Sequence, residues 1–225
     1  TLSPTKEFSG VKKPKQQKKI TQFKISPDGK FATYVTNQMG QYKLYLYNYE
    51  KEKSKKILKV GKKLERINDY SYPIVTWHPT GSLLAIITEE KGEVILSYYD
   101  IEKKERLKRP PLYDFDKVLD IAYSDDGKNI AFSAVKDGST DIYNYIVAAN
   151  KAVPITQDLF DDLNPRFINK STQLIFSSNR NDDTLRIGDN YQKHPPRATH
   201  DLFIYDLVKK NTNVLKRFTN SPDIN

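Results

Sequence analysis

The chain has 225 residues, of which 37% are hydrophobic and 29% charged, with 15 Tyr and 10 Phe against one Met, one Trp and no Cys. That is enough chain to bury a sizeable core, and its aromatic-rich, helix-poor chemistry favours strands. The missing cysteines exclude disulfides, thiolate metal sites and cysteine nucleophiles, and the longest aliphatic run, Leu83 to Ile87, falls far short of the ~20 residues of a membrane-spanning helix.

The net charge of +9 is concentrated at one end. Residues 1–66 hold 17 Lys/Arg and 5 Asp/Glu, whereas residues 67–225 hold 20 and 23. The excess lies in two Lys runs, Lys12 to Lys19 and Lys51 to Lys63, with no aromatic inside the second. Nucleic-acid grooves usually mix Arg and stacking rings into a basic track. The expectation is therefore solvated loops and a lysine-guarded edge strand, with no specific nucleic-acid partner. The chain opens on Thr1 without a charged-then-apolar leader, the mark of a mature or excised segment. Residues 1–22 are assigned to an N-terminal basic segment, either a loop or the closing strand of a preceding unit.

From residue 23 onward a motif recurs. Ile25-Ser26-Pro27-Asp28-Gly29-Lys30-Phe31 returns as Trp77-His78-Pro79-Thr80-Gly81-Ser82-Leu83, then as Tyr123-Ser124-Asp125-Asp126-Gly127-Lys128-Asn129, and more weakly as Phe167 to Leu174. The anchors Gly29, Gly81, Gly127 and Ser171 stand 52, 46 and 44 residues apart. That period belongs to propeller blades or helical arrays. Each copy carries a tight polar turn, with Asp28, Gly29, Gly81, Asp126 and Gly127 in structural roles. An apolar strand follows: Phe31 to Val35, Leu83 to Ile87, Ile130 to Ala134 and Leu174 to Phe176. An aromatic-rich strand is next: Lys43 to Tyr49, Val94 to Asp100, Asp141 to Tyr145 and Asp201 to Asp206. A shorter polar strand closes each copy, near Ile57-Leu58, Arg106-Leu107, Val153 to Thr156 and Val214 to Thr219.

Leu83 to Ile87 is apolar on both strand faces, so the strand must lie between two sheets. Helical periodicity is missing, and 12 Pro with 9 Gly punctuate the chain too often for stacked helices. The predicted fold is all-β: a β-propeller of four-stranded antiparallel blades, about four of them, forming part of a larger propeller of about six to eight. The blades are placed at 23–66, 67–116, 117–160 and 161–219, with 220–225 leading into a next one.

These turns, together with Asp141-Ile-Tyr143, Asp201 to Asp206, Phe176-Ser-Ser-Asn-Arg180 and Phe218-Thr-Asn-Ser-Pro222, resemble the TolB-type, WD-like propeller repeat over residues 20 to 225. Such blades occur in periplasmic TolB, in envelope proteins of Bacteroidetes-like bacteria, and in the propellers of prolyl-oligopeptidase and tricorn-like peptidases. The long insertion after Asn179 looks most like the Bacteroidetes-like envelope group. The resemblance implies a non-catalytic scaffold that binds a protein or peptide in a periplasmic or cell-envelope setting, with envelope association through other domains. Two alternatives remain open. One is a peptidase propeller whose catalytic domain lies outside this chain; the other is a carbohydrate-binding or carbohydrate-active propeller.

Catalytic motifs are missing: there is no Gly-x-Ser-x-Gly elbow and no phosphate loop. Neither a catalytic residue nor a cofactor is expected. Asp28 fails the Asp-box spacing and reads as a turn residue. His78 occupies a repeat turn, and His194 and His200 flank Pro195-Pro196 without a third imidazole. The pairs Asp125-Asp126, Asp161-Asp162 and Asp182-Asp183 lack a calcium-loop pattern, so no metal is expected. The feature that breaks the repeat is the insertion Asn179 to His200, where the third copy uses only a few residues. Long loops on rigid scaffolds carry binding disproportionately, and Arg and Tyr are common interface anchors. Arg180, Arg186, Tyr191, Lys193, His194, Arg197 and His200 are therefore the expected partner-binding residues.

Overall fold

A computed structural model describes residues 20–38, 41–61, 71–180 and 199–216. The described residues form four antiparallel sheets of four strands each, and no helix occurs among them. The chain divides at Pro110 into two compact units, each holding two of the sheets.

In the first unit, one sheet contains β1 (Ile20–Ile25), β2 (Phe31–Gln38), β3 (Gln41–Asn48) and β4 (Lys53–Val60). The other contains β5 (Ile74–Trp77), β6 (Leu83–Glu90), β7 (Glu93–Asp100) and β8 (Glu105–Pro111). Strand β6 carries the run that is apolar on both faces, and Leu84, Ala85, Ile86 and Ile87 are all buried. Leu84 and Ile86 share a core with Val75, Trp77 and Tyr99 of their own sheet and with Val35, Leu44, Leu46 and Leu58 of the other. Each such side chain withdrawn from water contributes about 1.5–3 kcal/mol. The Trp77 indole donates to the Lys24 carbonyl at 3.3 Å, so its one polar atom is satisfied. Burial fades outward: in β4 and β8 exposed residues are interleaved with half-buried ones, and Lys53, Lys55, Lys56 and Lys59 line β4 at the edge of its sheet.

The second unit repeats the plan. One sheet contains β9 (Lys117–Tyr123), β10 (Asn129–Lys136), β11 (Ser139–Ile146) and β12 (Lys151–Pro154). The other contains β13 (Asp162–Ile168), β14 (Gln173–Ser178), β15 (Asp201–Asp206) and β16 (Asn211–Lys216). Their shared core joins Ala131 and Ile142 to Leu174, Phe176, Phe203 and Tyr205. The last strand of the third sheet was expected to run to Thr156, but β12 ends at Pro154. Proline has no N–H for the ladder. Just beyond it, the Thr156 hydroxyl turns inward to accept the Ile142 N–H at 2.8 Å.

The recurring turns are built alike. The N–H of Ser26, His78 and Ser124 each donates to the carbonyl five residues on, at 2.8–2.9 Å, while Gly29, Gly81 and Gly127 each donate back to that same residue at 2.9 Å. All three glycines have φ near +70°, where a side chain is strained. Gly81 is also hemmed in, since an added Cβ would stand 3.3 Å from the Asp28 carboxyl carbon. Ser26 and Ser124 donate to Asp28 and Asp126 at 2.6 Å, and Lys30 and Lys128 N–H groups donate to the same oxygens. The serine hydroxyls hold both carboxyls below the usual range. In the weaker fourth copy Asn169, Lys170 and Ser171 all adopt positive φ without a glycine. Asp126→Ala is expected to cost about 1 kcal/mol in urea denaturation, and Asp126→Asn less, because the amide oxygen can still accept both hydrogen bonds.

Candidate functional site

The insertion leaves from an intact strand end. Strands β14 and β15 stay paired to their last residues, Ser178 opposite Asp201, and Asp162 of β13 stands opposite Ser178 on the other side. Directly opposed residues point to the same sheet face, so these three polar side chains form one row, and all three are buried. Arg180, two residues past Ser178, is also buried at 1% exposure.

A buried guanidinium needs partners for its donors. Arg180 Nη2 donates to Asp162 Oδ2 at 2.6 Å, Nη1 lies 3.2 Å from Asp158 Oδ2, and Nε donates to the Ser178 hydroxyl at 2.9 Å. Three rings surround its apolar faces: Phe160, Phe176 and Phe203 have centroids 5.5–5.8 Å from Cζ. Asn179 fastens the connector before β13, accepting from the Asp161 N–H at 2.8 Å and donating back to its carboxylate.

A third carboxylate completes the cluster. Asp141, at the inner part of β11, accepts the Asp158 N–H at 3.1 Å, and one oxygen from each of Asp141, Asp158 and Asp162 lies within 4.8 Å of the others. Burial, with Asp162 and Asp158 nearby, pushes the Asp141 carboxyl up to about 7. Asp162 is raised less, to about 6, because Arg180 opposes the burial. Three carboxylates at this spacing are the donor type for a hard cation. Here Arg180 supplies the positive charge itself, so the cluster is an internal ion network.

Arg180 must therefore be moved from the list of expected partner-binding residues: both its ionic partners lie inside the sheet pair, and its guanidinium is not offered at the surface. His200 is half-buried just before β15. Arg186, Tyr191, Lys193, His194 and Arg197 lie outside the described residues. His78 sits in its turn, with Nδ1 2.8 Å from the Thr80 hydroxyl. Asp125 and Asp126 are turn residues, and Asp161 and Asp162 diverge, the first exposed and the second buried against Arg180. The pair Asp182-Asp183 lies outside the described residues.

No protein-family model matches the sequence, and no curated protein does. Solved structures match its fold. TolB from Acinetobacter baumannii aligns with a TM-score of 0.65 at 15% identity, covering 88% of this chain and 44% of that one. The putative TolB from Agrobacterium tumefaciens aligns at 0.61 and 17% identity, over 87% of this chain and 64% of that one. The β-propeller domain of the Trilobed protease from Pyrococcus furiosus aligns at 0.57 and 10% identity, over 90% and 58%. The four sheets are thus blades of a β-propeller, each a four-stranded antiparallel meander. The fold is that of TolB-like propeller blades, and the chain spans about half the length of the TolB structures it matches.

Proposed function

We propose that this propeller segment is a non-catalytic scaffold that binds a protein or peptide partner through the insertion of its fourth blade, in a periplasmic or cell-envelope setting. The observation that carries the reading is the root of the insertion. Both stems, Asn179-Arg180 and Asp201, are buried, and the strands they extend are paired to their ends. A long connection rooted this way starts and ends at fixed points of the sheet, and long connections on such scaffolds often carry binding. Arg186, Tyr191 and Arg197 are the proposed anchors, with Lys193, His194 and His200 beside them. The TolB-like fold supports the setting, and among the described residues no helix is long and apolar enough to cross a membrane.

The test replaces Asp182 to Ala198 with a two-residue Asn-Gly turn. The register of β14 and β15 is set by the strands, and a tight turn can join them, so the fold should persist by circular dichroism with little change in stability. Partner retrieval from the native envelope should fall sharply. A loop-deleted protein that folds and retrieves the same partners would reassign the binding site to another surface. Similarity to the Trilobed protease propeller favours a second reading, a propeller serving a peptidase domain encoded elsewhere in the gene. A full-length gene containing an α/β-hydrolase segment would support it.

A further inference from the structure

The cluster between the third and fourth blades does not balance. Asp141, Asp158 and Asp162 bring three carboxyls together, and Arg180 is the only buried basic residue among those described. Its guanidinium is committed to Asp158 and Asp162. Asp141 receives instead only dipoles: the Asp158 N–H and the Thr156 hydroxyl. Among the described residues no second basic side chain is buried beside it. An ionised carboxylate in that position would face two more at close range in a site shielded from water, which is strongly unfavourable.

We propose that the joint between these blades holds a proton on Asp141 and loosens when that proton leaves, making the joint a pH-sensitive device at the root of the insertion. Among the described residues the groups near Asp141 are Tyr143 on its own strand, Thr156 and Asp158 on the connector after β12, and Asp162 on β13, with Arg180 after β14 held by the last two. Apart from Arg180 all are neutral or acidic, so none can take the proton's place. Strands β11 and β13 are neighbours and contribute Asp141 and Asp162 to the cluster, so charging it acts between the two blades.

The direction of the effect follows from the linkage between proton binding and folding. The folded chain keeps the Asp141 proton up to about pH 7, whereas an unfolded aspartate loses it near pH 4. The stabilisation is therefore complete at acid pH below the unfolded value and is lost as pH rises through about 7. Asp162 adds a similar trend that levels off lower, just above pH 6, so most of the dependence beyond that belongs to Asp141.

The experiment is urea denaturation of the full chain and of Asp141→Asn between pH 6 and 7.5. Asparagine can still accept the Asp158 N–H but cannot ionise. The ratio of the wild-type unfolding constant to that of Asp141→Asn should rise roughly eightfold across the window, as one proton linkage allows. Every other titratable group is common to both chains, so the difference between the two isolates Asp141. Equal pH dependence in the two chains would overturn the proposal. A second measurement needs no variant: in wild-type chain labelled with 13C at aspartate carboxyls, one resonance should titrate near neutrality. If every aspartate titrates below pH 6, the proton is not held and the proposal fails.

Discussion

Replacing Arg180 with methionine is expected to destabilise the protein by about 3–5 kcal/mol at pH 7.5, read as a lowered urea midpoint with little change in slope. Methionine fills much of the space between Phe160, Phe176 and Phe203, so packing changes little. What is lost is the cation. Asp158 and Asp162 would then face each other buried without a countercharge, and this uncompensated pair accounts for the size of the effect. The penalty should shrink on acidification, since carboxyls that have lost their arginine take up protons more readily. Adding Asp162→Asn to the methionine variant should recover part of the loss, because the two residues share one interaction and their effects do not add. A loss below about 1 kcal/mol for Arg180→Met would show a solvated arginine, of the kind common at surfaces.

Phe132→Ala should be comparably damaging, at about 3–5 kcal/mol, for a different reason. Phe132 is 2% exposed and lies within an aromatic group, with Phe115 edge-on at 5.3 Å and Tyr143 stacked at 5.7 Å. Truncation leaves a cavity that these two rings cannot close. Phe132→Leu should recover most of the loss by refilling the volume, and Tyr113→Ala, at a residue 77% exposed, should change the midpoint hardly at all. Thermal or urea unfolding of the three variants side by side checks the ordering.

Some of this was legible before any coordinates. The Ser-x-Asp-Gly turns are local, with each hydrogen bond spanning five residues or fewer, so the chemistry that forms them stands in consecutive letters. Leu83 to Ile87 announces a strand dry on both faces because the run is short and lies in a chain punctuated by Pro and Gly rather than in a helical pattern. The ion cluster was hidden for the opposite reason. Asp141, Asp158, Asp162 and Arg180 come from two blades and meet only when those blades pack. Arginine is usually solvated, so Arg180 was grouped with the loop it precedes. A signal did exist: charged residues sit at the margins of strands whose interiors are apolar, Asp141 before Ile142-Tyr143 and Arg180 after Phe176-Ser-Ser-Asn. A charge adjoining a buried stretch has little chance of reaching water and asks for a partner.

The strand order within every blade follows the chain, β1-β2-β3-β4 and so on to β13-β14-β15-β16, with no strand exchanged between sheets. Every hydrogen-bonded ladder is therefore closed by a short connection, except where the insertion lengthens one. Assembly is thereby modular: each meander can zip up from its own hairpins before it meets a neighbour. The same modularity governs how such a chain changes over evolutionary time. A whole blade can be duplicated or lost without rewiring any ladder, and a connection between two strands can swell into a recognition loop while its sheet stays intact.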